Sequence, residues 1–530
     1  MIYKTSILNY LLTFSKKDGR IITKIYYRRI VMKKILILLL AVAMIFSVIA
    51  CAKNDKDDGK DTGDKPPVND PDNTTENLDD PTHLPEIAFD GAEFRIHTKE
   101  GTSRGEVYAD ETATDIRQQS IWERNAAVED QYDVVITPVL SYDGTVSGQV
   151  NEIMDGLLGD EDFYDIALTY AVGTGPLVTG GFCVNWENLD YTDLSKRYWI
   201  YDINKNFMFD DAIYTVVGDM CTTTLTFTYA MFYNRTEGDK IKDENGESLT
   251  NVIFDKIDNN EWTLDYFSNL VSDKYDDIDD TPGKSLGDFY GFTAEAATNL
   301  DIWPFALNIP IITLDEVEMI KIVFNNEKTI TAADKINNLY WENPGSLIGV
   351  KHPEETGIPT STFKAGNALF CTSYLSQCYN NFAAMEEHYT VLPYPMYDED
   401  QENYMTGAMD NYSIITIPYN APDLEMVSII TEALNYESRE RVFPVFYEES
   451  LQKQHARDPE TIEMLDVIMD GRTFDLATTL VPALAQSFRA SIASKENDFA
   501  KYFDEQAESF AYSIENLIEQ YEINKMVGRD

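Results

Sequence analysis

The chain holds few of the side chains on which catalysis depends. It has five His, and no HExxH, GxSxG, P-loop or GxGxxG context occurs in it. Its 91 Asp and Glu residues leave a paired-acid glycosidase open by composition, but no spacing singles out a pair. Cys183, Cys221, Cys371 and Cys378 lack the CxxC spacing of a zinc site and read as small core residues. Asp276, Asp277, Asp279, Asp280 and Asp288 form an acidic loop before Tyr290. An EF-hand loop needs Gly at its sixth position, and counting from Asp277 that position is Pro282. A solvated acidic turn is expected there, and neither a metal nor a cofactor is expected in the chain. Polar and aromatic side chains just past strand ends are the other candidates for contact with a small molecule. Thr98 and Lys99 follow one strand-like segment, and Tyr170 and Thr174 follow another.

The elements that must position these residues alternate. Phe94 to Thr98 has the period-two pattern of a strand. Residues 115–131 read as a helix, Val134 to Ile136 as a strand, and Asp165 to Thr169 as a strand ending in a Gly-containing loop. This rhythm predicts an α/β architecture with a largely parallel sheet. About 445 residues follow position 85, too many for one simple core, so two lobes are expected. Near the end, Asp458-Pro459 reads as a helix N-cap with Pro at the first position, and Gly471 as the stop. A last helix places Phe499, Tyr502, Phe503, Phe510, Ile514, Leu517, Ile518 and Tyr521 on one face, as core.

The N-terminal region reads as export machinery. Lys33 and Lys34 precede an uncharged apolar run, Ile35 to Ala50, whose 16 residues are short for a membrane span. The run ends at Val48-Ile49-Ala50-Cys51, which resembles a lipobox with Cys51 as the lipidated residue. Residues 1–31 are expected to be an over-extended start or a long n-region, with Met32 the favoured true start. Residues 51–85 are polar and free of aromatics, and are expected to be a disordered acidic tether. The whole chain has a formal charge of −49. Without residues 1–50, 33 basic and 90 acidic residues remain, a formal charge of −57. That balance excludes nucleic acid as a partner and argues against adhesion to anionic lipid.

Several segments, in this order, resemble the extracellular solute-binding proteins of ABC importers, family 1, the maltose-binding-protein-like family. They are Ile121-Trp122-Glu123-Arg124-Asn125 with Gln131-Tyr132-Asp133-Val134, then Tyr164-Asp165-Ile166-Ala167 with Gly180-Gly181 and Leu189-Asp190. Phe232-Tyr233-Asn234-Arg235, Glu261-Trp262-Thr263-Leu264-Asp265, Phe363 to Phe370 and Leu392-Pro393-Tyr394-Pro395 follow. The resemblance covers most of residues 86–530. It implies a two-lobe, periplasmic-binding-protein-like fold (type II), each lobe a mostly parallel sheet flanked by helices, joined by crossing hinge strands. Lobe 1 is expected at 86–220 and 405–445, and lobe 2 at 221–404 and 446–530.

The resemblance adds candidate ligand-binding residues to Thr98, Lys99, Tyr170 and Thr174. Asp301 and Trp303 lie in a segment that resembles a cleft-lining Trp-Pro stretch of the family. Thr372, Ser373 and Tyr374 follow a lobe-two strand, and Asp410 and Tyr412 lie where the chain returns to lobe one. The implied function is capture of a small solute, with a sugar or oligosaccharide expected, and delivery to ABC permease subunits. A monomer is expected, lipid-anchored on the outer face of a Gram-positive type cell membrane, and no enzyme activity. The loop after Thr169 lacks the charged residues that many sugar binders place there, so the ligand's identity is not specified. A surface glycoside hydrolase and a non-transport binding or adhesion lipoprotein are the alternatives.

Overall fold

Phe94 and Ile96 are fully buried in the first strand, β1 (Ala92–Thr98), as its alternation predicts. The computed structural model describes residues 81–526 except 160, 279, 281, 315–319, 350–356 and 454–458. The expected leader, Cys51, the tether up to residue 80, and Asp458 lie outside these residues. After β1 come α1 (Thr102–Val107) and α2 (Ile116–Tyr132). The carboxylate of Asp115 caps α2 by accepting from the Arg117 and Gln118 amides. Asp133, at φ 49°, ends α2 in the left-handed region and turns the chain into β2 (Val134–Leu140). Then follow α3 (Val146–Leu158), capped by Thr145, and β3 (Ile166–Tyr170).

The Gly-containing loop expected after β3 is instead a helix, α4 (Ala171–Thr179). Its glycines serve close approach rather than a turn. A Cβ on Gly175 would stand 3.1 Å from the Thr479 carbonyl of a helix packed against α4.

The first sheet has the order β11-β3-β1-β2. β1 is parallel to both β2 and β3, and β11 (Ser413–Thr416) returns antiparallel along β3. The second sheet has the order β10-β4-β9-β5-β8. Its strands are β4 (Tyr229–Asn234), β5 (Tyr290–Glu295), β8 (Ser346–Gly349), β9 (Ala368–Tyr374) and β10 (Tyr389–Leu392). β5 is parallel to β8 and β9, whereas β4 runs antiparallel to β9 and β10. Helices α5 (Leu249–Asp258), α6 (Leu264–Ser272), α7 (Ile302–Ala306), α8 (Glu327–Asn337) and α9 (Ile358–Lys364) belong to this half. So does a small hairpin of β6 (Ile312–Leu314) and β7 (Ile320–Ile322).

Among the described residues, three segments between the two sheets pack side by side. Residues 227–229 and 406–409 pair side by side: the Met409 amide donates to the Phe227 carbonyl and the Tyr229 amide to Gly407, each at 3.0 Å. The third segment, 471–473, flanks Thr406, which donates to the Gly471 carbonyl and accepts from the Thr473 amide, both at 2.8 Å.

The C-terminal third has α10 (Leu424–Glu437), α11 (Pro459–Asp470), α12 (Leu476–Leu480), α13 (Ser487–Ile492) and α14 (Phe499–Met526). Residues 446–530, expected in lobe 2, divide between the lobes. α11 packs on β10 and α12 on α4, while α14 touches both α4 and α8. On α14, Phe499, Phe503, Phe510, Ile514, Leu517 and Tyr521 are buried, and Tyr502 and Ile518 are half-buried.

The four cysteines Cys183, Cys221, Cys371 and Cys378 are buried and free of disulfides. The acidic loop is less solvated than expected. Asp276 pairs with Phe289, and Asp288 is fully buried, accepting from the Ser285 amide at 2.7 Å and the Tyr275 hydroxyl at 2.9 Å. Among the described residues, no three His, Cys, Asp or Glu side chains gather as metal ligands. Among them, too, no helix is long and apolar enough to cross a membrane.

Candidate functional site

The carboxyl ends of β1 and β3 lie side by side at one edge of the first sheet. Thr98 ends β1, is fully buried, and its Oγ1 has no hydrogen-bond partner among the described residues. Lys99 follows it and holds its Nζ 4.3 Å above the centre of the Tyr170 ring. Burial lowers the Lys99 ammonium pKa, against the pull of Asp143. Tyr170 ends β3 and is half-buried. Thr174 turns inward: its Oγ1 donates to the Tyr170 carbonyl at 2.9 Å and lies 2.7 Å from Thr169 Oγ1.

The crossing segments carry this edge over to the second sheet. The Val172 amide, one residue into α4, donates to the Asp410 carbonyl at 2.9 Å. Met409, next to Asp410, pairs with Phe227, and the Phe227 ring meets Tyr374 edge-on with centroids 5.6 Å apart. Tyr374 ends β9 and is half-buried, as is Phe227. The contacts therefore run from Val172, two residues past Tyr170, to Asp410, and from Met409 through Phe227 to Tyr374. Thr372 and Ser373, also on β9, are buried in the sheet, and the Thr372 carbonyl accepts from Asn299 Nδ2 at 3.0 Å.

Two candidate acids converge on one cation. Asp301, just ahead of α7, lies with its Oδ2 2.6 Å from Nη1 of Arg489 on α13. Nη2 of the same guanidinium is 3.9 Å from Asp410 Oδ2, which also accepts from Gln486 Nε2 at 3.1 Å. Burial pushes the Asp301 carboxyl up to about 8; Arg489 opposes that rise and Asp410 adds to it. Oδ1 of Asp301 is buried without a hydrogen-bond partner among the described residues.

Trp303 and Tyr412 sit in the packing rather than on the cleft. Trp303 is fully buried, its Nε1 donating to the Tyr340 hydroxyl at 3.2 Å and its ring standing edge-on to Tyr394. Tyr412 is buried and stacks on Phe474 at 4.4 Å. A separate cavity of about 300 Å³ opens beside the crossing segments, lined in part by Met208, Phe305, Met405 and Phe474. None of the candidate residues lines it.

Arg489, Gln486 and Phe227 were not singled out from the sequence. Arg489 did carry a signal: it is the one charged residue between Asp475 and Lys495. A lone cation in so apolar a stretch of an acidic chain calls for a buried acid as partner.

No family model matches the chain, and no curated protein matches it. Solved structures do. The galacto-N-biose/lacto-N-biose I-binding protein of the ABC transporter from Bifidobacterium longum aligns at 10% identity and a TM-score of 0.52, covering 81% of this chain and 98% of that one. The GacH receptor of Streptomyces glaucescens, solved unliganded and with acarbose, aligns at 10% identity and a TM-score of 0.51, covering 80% and 99%. UgpB from Mycobacterium tuberculosis, solved with glycerophosphocholine, aligns at 12% identity and a TM-score of 0.50, covering 81% and 99%. With two α/β lobes joined by crossing segments and this likeness over four-fifths of its length, the chain has the type II fold of periplasmic binding proteins.

Proposed function

We propose that the protein captures a small carbohydrate between its lobes and hands it to an ABC importer. One observation carries this reading. Half-buried aromatic rings (Tyr170, and Phe227 against Tyr374) and an incompletely satisfied acid, Asp301, lie at strand ends of both sheets and on the segments between them. In open α/β sheets, ligands lie beyond the carboxyl ends of the strands. Aromatic faces suit the apolar faces of sugars, and placed carboxylates suit their hydroxyls. Proteins of similar fold were solved with acarbose and with lacto-N-biose, which supports a saccharide as the solute. Rotation of one lobe against the other about the three segments would enclose it.

We further propose that Cys51 anchors the chain by lipid to the outer face of the cell membrane, beside its permease. The test of capture is a thermal-shift and calorimetric screen of the purified protein against mono- and oligosaccharides. Stabilisation with no product formed is expected; turnover of a saccharide would replace the binding reading with a hydrolase. Cys51→Ala protein is expected in the soluble fraction of cells, and its retention with membranes would refute the anchor.

A further inference from the structure

A buried carboxylate oxygen with no partner costs free energy in the empty protein, so each such atom asks for a reason. Asp301 Oδ1 is one. Its surroundings are built rather than incidental. Arg489 holds Oδ2 at 2.6 Å and reaches toward Asp410, and Gln486, one turn earlier on the same C-terminal stretch, fixes Asp410 at 3.1 Å. The charged groups facing Asp301 are Arg489 and Asp410, and Tyr229 is the titratable phenol beside all three. Two acids share one guanidinium there, and Asp301 Oδ1 keeps acceptor capacity that none of them uses.

Building on capture between the lobes, we propose that Asp301, Asp410 and Arg489 form a donor-selective subsite at the hinge end of the cleft. It takes a hydroxyl or amino group of the solute on Asp301 Oδ1 and rejects a carboxylate or phosphate there. Arg489 is a positioning residue. It is occupied by the two carboxylates, so it orients them instead of binding an anion itself. Once Asp301 is ionised, above about pH 8, an anionic group at Oδ1 meets two carboxylates across one guanidinium. An ionised Asp301 is the better acceptor, so affinity rises with pH as its carboxyl ionises around pH 8. Removing the Arg489 cation keeps that carboxyl protonated to higher pH.

The test measures binding by calorimetry from pH 6 to 9.5 with detergent-solubilised full-length protein. The probes are lacto-N-biose, maltose, glucosamine, glucose, glucuronate and glycerol 3-phosphate, against wild type, Asp301→Asn, Arg489→Gln and Arg489→Lys. A neutral or amino probe should bind wild type, more tightly as pH rises. Asp301→Asn should weaken it about tenfold or more with a flat pH profile. Arg489→Gln should move the profile to higher pH, and Arg489→Lys should restore much of it. Tightest binding by glucuronate or glycerol 3-phosphate overturns the proposal. So does saccharide binding that neither Asp301→Asn nor Arg489→Gln alters in affinity or pH profile, an outcome that leaves capture standing. No binding of any probe to wild type at any pH removes both the capture reading and the subsite.

Discussion

At the scale of single residues, burial separates side chains that hold the fold from those free to serve the cleft. Trp303→Ala should cost about 3–5 kcal/mol of stability, because it empties a fully enclosed site beside Tyr394 and removes the indole donor to the Tyr340 hydroxyl. Tyr374→Ala, at a half-buried ring, should cost less stability but about tenfold in saccharide affinity. Denaturant titration and calorimetry of both variants check the contrast, and equal stability losses would contradict it. Glu106 is a second residue-level case. It is buried on α1 and accepts from the Thr223 amide at 2.6 Å, from the Thr223 and Thr222 hydroxyls, and from Ser413. Burial pushes its carboxyl up to about 7. In the unfolded chain it ionises near 4.3. Between those values the unfolded state releases the proton and the folded state keeps it. Stability should therefore fall by roughly 4 kcal/mol as pH rises from about 4.3 to about 7, and hold level above that. Glu106→Gln should flatten that slope when unfolding free energies are compared at pH 5 and 7.5; an unchanged slope would refute the assignment.

At the scale of elements, local pattern was enough for pieces and not for partnerships. The capped helix α2 and the alternating β1 announce themselves because caps and periodicity are local. The 28-residue helix α14 shows its buried stripe for the same reason. The glycines that make α4 look like a loop serve close packing: Gly173 faces Val146 of α3, and Gly175 admits α12, some 300 residues away. The strand ends that carry Lys99, Tyr170 and Tyr374 were likewise legible. That Asp301 and Asp410 share Arg489 was not, because no local rule links three segments spread over 189 residues. One further element-level contact is testable. His83, in the arm entering β1, places Nε2 3.1 Å from Glu432 on α10. Glu432 is fully buried and also accepts from the Tyr198 hydroxyl at 2.7 Å and Trp199 Nε1 at 2.6 Å. The hydrogen bond to Glu432 raises the His83 pKa above its usual 6.5, against burial, with Asp193 adding to the rise and Lys196 opposing it. The stabilisation is present below pH 6.5 and is lost as pH rises through the raised value. His83→Ala should therefore cost about 1 kcal/mol at pH 6 and little at pH 9. Proteolysis of the arm should speed up at pH 6 only, and a loss equal at both pH values would rule out the ion pair.

At the scale of the whole molecule, motion between the lobes must bend the three crossing segments, which are packed backbone against backbone, and must carry α14, which touches both lobes. Thr406 is held from both sides by Gly471 and Thr473. Gly471 leaves no room for a side chain, since an added Cβ would lie 2.2 Å from the Tyr404 carbonyl, a rigid main-chain atom. Gly471→Ala must spread the second and third segments, at a cost of about 1–3 kcal/mol. Because both lobes hang from these segments, the shift should also change their mutual angle and hence the radius of gyration in small-angle scattering. Gly105→Ala supplies the comparison. Its Cβ would meet only the end of the Gln118 side chain, at 3.4 Å, on a helix of one lobe. That variant should keep both the melting temperature and the scattering profile of the wild type. If Gly471→Ala lowers the melting temperature while its scattering profile stays superimposable on the wild type, these segments do not set the lobe angle, and the hinge lies elsewhere in the fold.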